Sequence, residues 1–364
     1  MKPSEVENFL RCLIRSGWNE KTQKYVFDAR TPPVIFHGPP GVGKTEIPYT
    51  LTAELGGKMY DKRLLQCDPT ELTGLQVPKR GRTVWFPTED LPIPEDVDNY
   101  PIVVLLFDEL LMAPVLTQSA AFQILRERRV GITPLPTNCL MLAATNSEED
   151  NAPIHDMSDP LRTRFLHIEF EPDLDDFISY AVKHNLDESI IAYLKYSPSS
   201  LMDMSNRNYK AGNRTGANPR TWFYLSRFLT NPAFMHLKEG SRTELINGLV
   251  GEARGTEFRI YTKVRKKMPD IDAILRGKSK DVPEEISVLF ATVAAVGMRA
   301  ELKHLSVVLD YAAHLVSDVD EAKKQPEFVI LLLQILHARF GGEMTTPELA
   351  KKLAGKLGKY LVFK

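Results

Sequence analysis

Three cysteines in 364 residues, Cys12, Cys67 and Cys139, with no C-x-x-C spacing, indicate neither a disulfide framework nor a zinc site. A reducing interior is the natural compartment. Net charge is equally scarce: 46 basic against 47 acidic side chains leave a formal value of -1, so no global attraction to nucleic acid or to an anionic membrane is expected. Any such attraction must come from local patches. The longest apolar run, Phe328 to Leu336 interrupted by Gln334, is far too short to cross a bilayer, and the first residues lack the basic-then-apolar pattern of a secretion signal. A cytoplasmic protein without a membrane partner is expected. No internal repeat and no long low-complexity segment occurs. The composition is that of a globular protein, 43% hydrophobic and 26% charged, with length for two or three packed units.

The most informative stretch is Gly38-Pro39-Pro40-Gly41-Val42-Gly43-Lys44-Thr45, which fits G-x-x-x-x-G-K-[ST], a loop that cradles the phosphates of a nucleoside triphosphate. Glycines let the chain curl until successive N–H groups point at phosphate oxygens, and a helix beginning near Lys44 adds the partial positive charge of its N-terminus. Lys44 supplies a point charge to the β- and γ-phosphates, and the Thr45 hydroxyl is placed to hold Mg²⁺. Val34-Ile35-Phe36 reads as the strand entering the loop. The alternative is a Gly/Pro-rich surface turn.

Around this loop the chain alternates strands and helices. Ser4 and Glu7 form a capping-box pattern for an amphipathic first helix with Val6, Phe9, Leu10, Leu13 and Ile14 at helical spacing, which Gly17 ends. Strands are expected at Met59–Gln66, Ile102–Phe107, Leu140–Ala144 and Leu166–Phe170, with a helix at Thr117–Arg128. This pattern predicts a mostly parallel sheet with helices on both faces, ending near Glu171-Pro172. Residues 173–230 are helical in period with Asn/Gly-rich breaks from Asn206 to Asn218, and residues 240–364 continue helical.

Four further positions carry chemistry. Asp108-Glu109 follow the apolar strand Val103–Phe107; Asp108 is suited to the Mg²⁺ shell and Glu109 to polarising the attacking water, or else the pair is a solvated turn. Asn146, after Ala143-Ala144-Thr145, can orient the water or touch the γ-phosphate without adding charge; in isolation it is a turn residue. In Asp159-Pro160-Leu161-Arg162-Thr163-Arg164-Phe165, Arg164 first and Arg162 second are candidates to reach a neighbour's γ-phosphate, the alternative being surface ion pairs. Asn218-Pro219-Arg220 has the form of a helix start, and Arg220 could couple a helical lid to the nucleotide or simply face solvent.

This ordered set resembles the AAA+ ATPases, and more closely their MoxR-type branch, over roughly residues 30 to 230. Ala113-Pro114 with Gln118, and Pro134-Leu135-Pro136, resemble the branch's pattern; Leu111 and Met112 depart from it, standing where an Asn-Arg pair is usual, so a polar contact is expected to be missing there. The resemblance implies an α/β fold: a P-loop core with a five-stranded, mostly parallel sheet, then a small α-helical lid and a further helical region. The corresponding boundaries are an N-terminal helix and link (1–30), the core (31–172) with hairpin insertions near 72–90 and 129–137, the lid (173–235) and the helical C-terminal region (236–364). It also implies ATP and Mg²⁺ as ligands, a homo-oligomeric ring that is typically hexameric, a von Willebrand factor A-type domain partner, and chaperone-like remodelling of a protein client. Lys79, Arg80, Arg82, Trp85 and Phe86 in the first hairpin could line a pore that grips polypeptide or nucleic acid, or be a solvated tip with aromatics packed beneath. A nucleic-acid motor is the second reading, motivated by that tip and by Lys263, Arg265, Lys266 and Lys267; a nucleotide-gated scaffold with little turnover is the third.

Overall fold

A computed structural model describes residues 1–146, 157, 162–203, 215–264, 267–317, 326–341, 343 and 357. The chain forms two compact units, Met1–Pro172 and Asp173–Lys364. Arg265, Lys266, residues 158–161 and residues 206–214 of the Asn/Gly-rich break lie outside the described residues.

The first unit is built on five strands: β1 (Val34–His37), β2 (Lys58–Arg63), β3 (Val103–Asp108), β4 (Cys139–Thr145) and β5 (Leu166–Glu169). All neighbours run parallel, in the order β5-β1-β4-β3-β2. Every residue from Val103 to Phe107 and from Cys139 to Thr145 is buried, as a strand covered on both faces requires. On one face Ile35, Val103, Leu105, Phe107, Met141 and Ala143 join Ala121, Phe122, Ile124 and Leu125 of helix α3 (Val115–Glu127) in a single apolar cluster. Helix α1 (Pro3–Ser16) packs against α2 (Glu46–Glu54), which in turn contacts β2 and β3.

Several boundaries differ from the sequence expectation. Helix α1 starts at Pro3, so Lys2 rather than Ser4 is its N-cap, and Glu5 rather than Glu7 accepts the cap N–H at 2.9 Å. The proline sets this start, because it lacks an N–H and its fixed φ suits the first helical turn. Gly17 does end α1, but in a right-handed conformation; a Cβ there would lie 2.4 Å from the Phe27 ring. Close packing of Phe27, not a left-handed cap, is what this glycine serves. Strand β2 stops at Arg63, and Leu64–Gln66 turns into a 3₁₀ helix that buries Leu64.

Two hairpins leave the sheet. Leu75–Lys79 pairs antiparallel with Arg82–Phe86, and Arg80 and Gly81 both have positive φ, the two-residue turn whose twist matches its arms. Leu75, Val77 and Phe86 are exposed on it, and the Lys79 ammonium sits 5.5 Å from the Phe86 ring centre. Arg129–Val130 pairs with Thr133–Pro134 across Gly131. A Cβ on Gly131 would lie 2.8 Å from the Thr73 carbonyl and 3.4 Å from Cβ of Trp85. The second hairpin's turn therefore seats on the base of the first, and Trp85 is half-buried beneath it.

The second unit is helical, with helices α4 (Leu174–Lys183), α5 (Glu188–Tyr196), α6 (Pro219–Leu229), α7 (Glu239–Val250), α8 (Glu252–Val264), α9 (Ile286–Arg299), α10 (Leu305–Ser317) and α11 (Pro326–Phe340) around one core. Tyr193, Trp222 and Phe258 are fully buried there, with ring centres 5.4 to 5.7 Å apart. Among the described residues its only extended pairing is an isolated bridge between Asp203 and Ala217.

Candidate nucleotide site

A parallel sheet brings all its strands' carboxyl ends to one edge, and that edge is where open α/β sheets bind ligands. Here it gathers the loop after β1, Arg63, Asp108 and Asn146. The loop leaves β1 at Gly38 with φ 150°, and a Cβ there would sit 2.4 Å from the Phe170 carbonyl oxygen. Gly41 and Gly43 also have positive φ, at 82° and 106°. These conformations are strained for any side chain, which is why the motif spends its glycines there. Helix α2 begins at Glu46, two residues later than Lys44, although the Gly43 carbonyl already accepts a helical bond from Ile47 N–H at 3.1 Å. Among the described residues, the N–H groups of Gly41, Val42 and Gly43 donate to no backbone acceptor. Unpaired N–H donors on a curled loop at a helix N-terminus fit a phosphate chain.

Lys44 folds back across this loop and is 8% exposed. Its ammonium donates to the carbonyls of Gly38 at 2.5 Å and Pro39 at 2.9 Å, and to Oδ1 of Asn146 at 3.1 Å. The amide of Asn146 also donates, through Nδ2, to the Met112 thioether at 3.4 Å. Asn146 thus joins the phosphate loop to the segment that follows the acid pair. This corrects the expectation of a missing polar contact at Leu111-Met112: a sulfur is a weak acceptor, but it receives a hydrogen bond.

At the end of β3, Glu109 adopts a left-handed conformation, φ 59° and ψ 35°, which costs a residue with a side chain about 1–2 kcal/mol. Its N–H donates to Oδ1 of Asp108 at 3.0 Å, and its carbonyl accepts from Met112 at 3.1 Å. The kink ends the strand's alternation at the two carboxylates. Strand β2 adds two residues that sequence reasoning missed, because only strand pairing reveals them. Arg63 lies opposite Asp108 and Asp61 opposite Leu106. Burial pushes the Asp61 carboxyl up, Asp108 adds to the rise, and Arg63 opposes it. The intervening Lys62 faces the other way, buried and paired with Glu71 at 2.7 Å and with Asp90.

Arg162 and Arg164 lie on a tight turn before β5, closed by the Phe165 N–H on the Arg162 carbonyl at 3.3 Å. Buried Phe165, 5.8 Å from the Phe122 ring, anchors the turn and leaves Arg164 exposed. Nε of Arg162 donates to the Met157 carbonyl at 3.1 Å. The turn precedes β5, so it belongs to the amino edge of the sheet, opposite to the phosphate loop. Arg220 belongs to the second unit: Asn218 caps α6 by accepting from Thr221 N–H at 3.1 Å, Pro219 opens the helix, and Arg220 is exposed on its first turn.

Comparison with known proteins adds outline only. No family model and no curated protein matches the chain. Solved structures do. The Holliday junction branch migration motor RuvB of Thermotoga maritima is 18% identical over 86% of this chain and 88% of its own, with a TM-score of 0.35. PCH-2 of C. elegans is 16% identical over 73% of this chain and 63% of its own, with a TM-score of 0.30. The chemistry of the site therefore rests on its own residues.

Among the described residues no three His, Cys, Asp or Glu side chains are grouped to hold a metal ion. A magnesium ion needs no such cage where one carboxylate, a hydroxyl and substrate phosphates can supply its oxygens. Thr45 and Asp108 are of that donor type. The two described lysines of the downstream basic cluster are ion-paired, Lys263 with Glu239 at 3.7 Å and Lys267 with Glu285 at 3.0 Å.

Proposed function

We propose that this chain is an ATP-hydrolysing AAA+ ATPase of the MoxR-type branch, working as a ring, typically a hexamer, to remodel a protein partner. The observation that carries this reading is the bond from the Lys44 ammonium to Asn146 Oδ1, which makes the phosphate loop and the strand-end amide one site beside Asp108-Glu109. Lys44 exchanges its loop carbonyls for β- and γ-phosphate oxygens. Thr45 and Asp108 would hold Mg²⁺, which when bound would supply charge neutralisation at the phosphates. Glu109 polarises the attacking water, and Asn146 orients it without adding charge.

Arg164 completes the site of a neighbouring subunit. Its turn lies at the sheet edge away from its own phosphate loop, which favours action in trans and hence a head-to-tail ring. Arg220 couples the helical lid, residues 173–235, to the bound nucleotide, and a partner with a von Willebrand factor A-type domain is the companion this branch suggests. A second reading, a nucleic-acid motor, is favoured by Lys79, Arg80 and Arg82 at the exposed hairpin tip. The ion pairs at Lys263 and Lys267 make it the weaker one.

The test is a trap. Glu109→Gln should hold ATP while turnover falls about a hundredfold or more. A protein retained on pull-down by this variant with ATP, and released from the wild type, supports remodelling; unchanged turnover removes the water-activating role of Glu109.

A further inference from the structure

His37 is the last residue of β1, directly before Gly38, and His167 is the second residue of β5, 130 positions later. Their rings stack with centres 5.1 Å apart, and Nε2 of His37 lies 2.9 Å from Nδ1 of His167. Nε2 of His167 lies 3.0 Å from the carbonyl oxygen of Arg162. These contacts determine where the hydrogens are. A carbonyl only accepts, so His167 carries its hydrogen on Nε2; in the neutral ring Nδ1 is then an acceptor, and His37 must donate from Nε2. The groups around His37 agree. Burial lowers its proton affinity, Glu169 opposes this, and His167, Lys44 and Arg162 lower it further, which disfavours its charged form.

The result is a directed chain from the base of the phosphate loop, through two rings, to the carbonyl that closes the turn bearing Arg164. That carbonyl accepts twice, from His167 and from the Phe165 N–H. Holding one end of a four-residue turn fixes the direction in which its third residue projects.

We propose that His167 is a positioning residue for Arg164: its Nε2–H holds the Arg162 carbonyl, and its Nδ1, accepting from His37, anchors that hold to the strand entering the phosphate loop. This rests on the reading of Arg164 as a residue that acts on a neighbour's nucleotide. It adds a physical link between the donated arginine of one subunit and that subunit's own nucleotide loop.

The experiment uses the full chain and compares His167→Leu, His167→Gln, Arg164→Ala and the Arg164→Ala/His167→Leu pair in steady-state ATP hydrolysis. His167→Leu should lower kcat about tenfold while KM changes less than about threefold. Glutamine, which keeps a donor at the Nε2 position, should recover most of that loss. In the Arg164→Ala background, His167→Leu should cost less than about twofold more, because both act through one arginine. A full tenfold loss on top of Arg164→Ala, or an effect confined to KM, overturns the proposal. Wild-type turnover in Arg164→Ala alone would instead remove the arginine reading itself, and is visible without any histidine variant. Should His167→Leu fail to fold, ¹⁵N spectra of the wild-type histidine rings decide: hydrogen on Nε2 of His167 supports the clamp, and hydrogen on Nδ1 overturns it.

Discussion

Two lysines are buried at the same sheet and held in opposite ways. Lys62 on β2, with a side chain 6% exposed, is paired with the carboxylates of Glu71 and Asp90. Lys44 after β1, 8% exposed, donates to two backbone carbonyls and an amide oxygen. A cation already matched with two anions has little to gain from a third. A bond to a carbonyl or amide oxygen becomes charge-assisted on both sides when a phosphate oxygen replaces that oxygen. Burial of a lysine is therefore no mark of function by itself; where its hydrogen bonds go, to carboxylates at Lys62 or to the phosphate-loop carbonyls at Lys44, is what differs between the two.

That contrast can be broken or sharpened by substitution. The largest effect expected is Lys44→Ala, which should abolish nucleotide binding and lower hydrolysis more than about a hundredfold, read by equilibrium binding and phosphate release. Asn146→Ala should lower kcat about tenfold with a smaller change in affinity, since the amide orients rather than binds. Lys62→Met should leave hydrolysis within about twofold of wild type but lower stability by about 1–2 kcal/mol on denaturant unfolding, a modest figure because both carboxylates remain half-exposed to water.

The smallest effect is a pH dependence at the Lys62 pair. The bond to Lys62 holds Glu71 below its ordinary value, while at Asp90 burial pushes the carboxyl up and the bonds from Lys62 and Thr88, with the charge of Lys62, together outweigh it. Both groups are depressed in the folded chain, so their contribution is present above the ordinary carboxylate range and is lost as pH falls through the folded values. Thermal unfolding of wild type and Lys62→Met should converge as pH drops below about 4 and separate at neutral pH. Curves that stay parallel would show that the pair contributes nothing.

What could be read before folding follows from how local each feature is. The phosphate loop is eight consecutive residues whose glycines take its positive-φ positions, and the apolar run before Asp108 announces a strand buried on both sides. Both are written within one segment. The Asn146 bond to Met112 joins residues 34 apart, and Met112 looked like a lost contact because only a polar side chain was expected there. Asp61 and Arg63 acquire meaning only from the register of β2 on β3. His37 and His167 meet because β5 pairs with β1, which no spacing rule reports. The misplaced cap of α1 is of another kind: Ser4 and Glu7 match a local pattern, but Pro3 fixes an earlier start.

The most direct test of the account is the binding of a fluorescent ATP analogue with Mg²⁺ to wild type, Lys44→Ala and Lys62→Met under the same conditions. Saturable binding to wild type and Lys62→Met that disappears in Lys44→Ala is the predicted result. Equal binding by all three proteins, or equal loss from both variants, would contradict the claim that Lys44, held to its own loop and to Asn146, marks the nucleotide site.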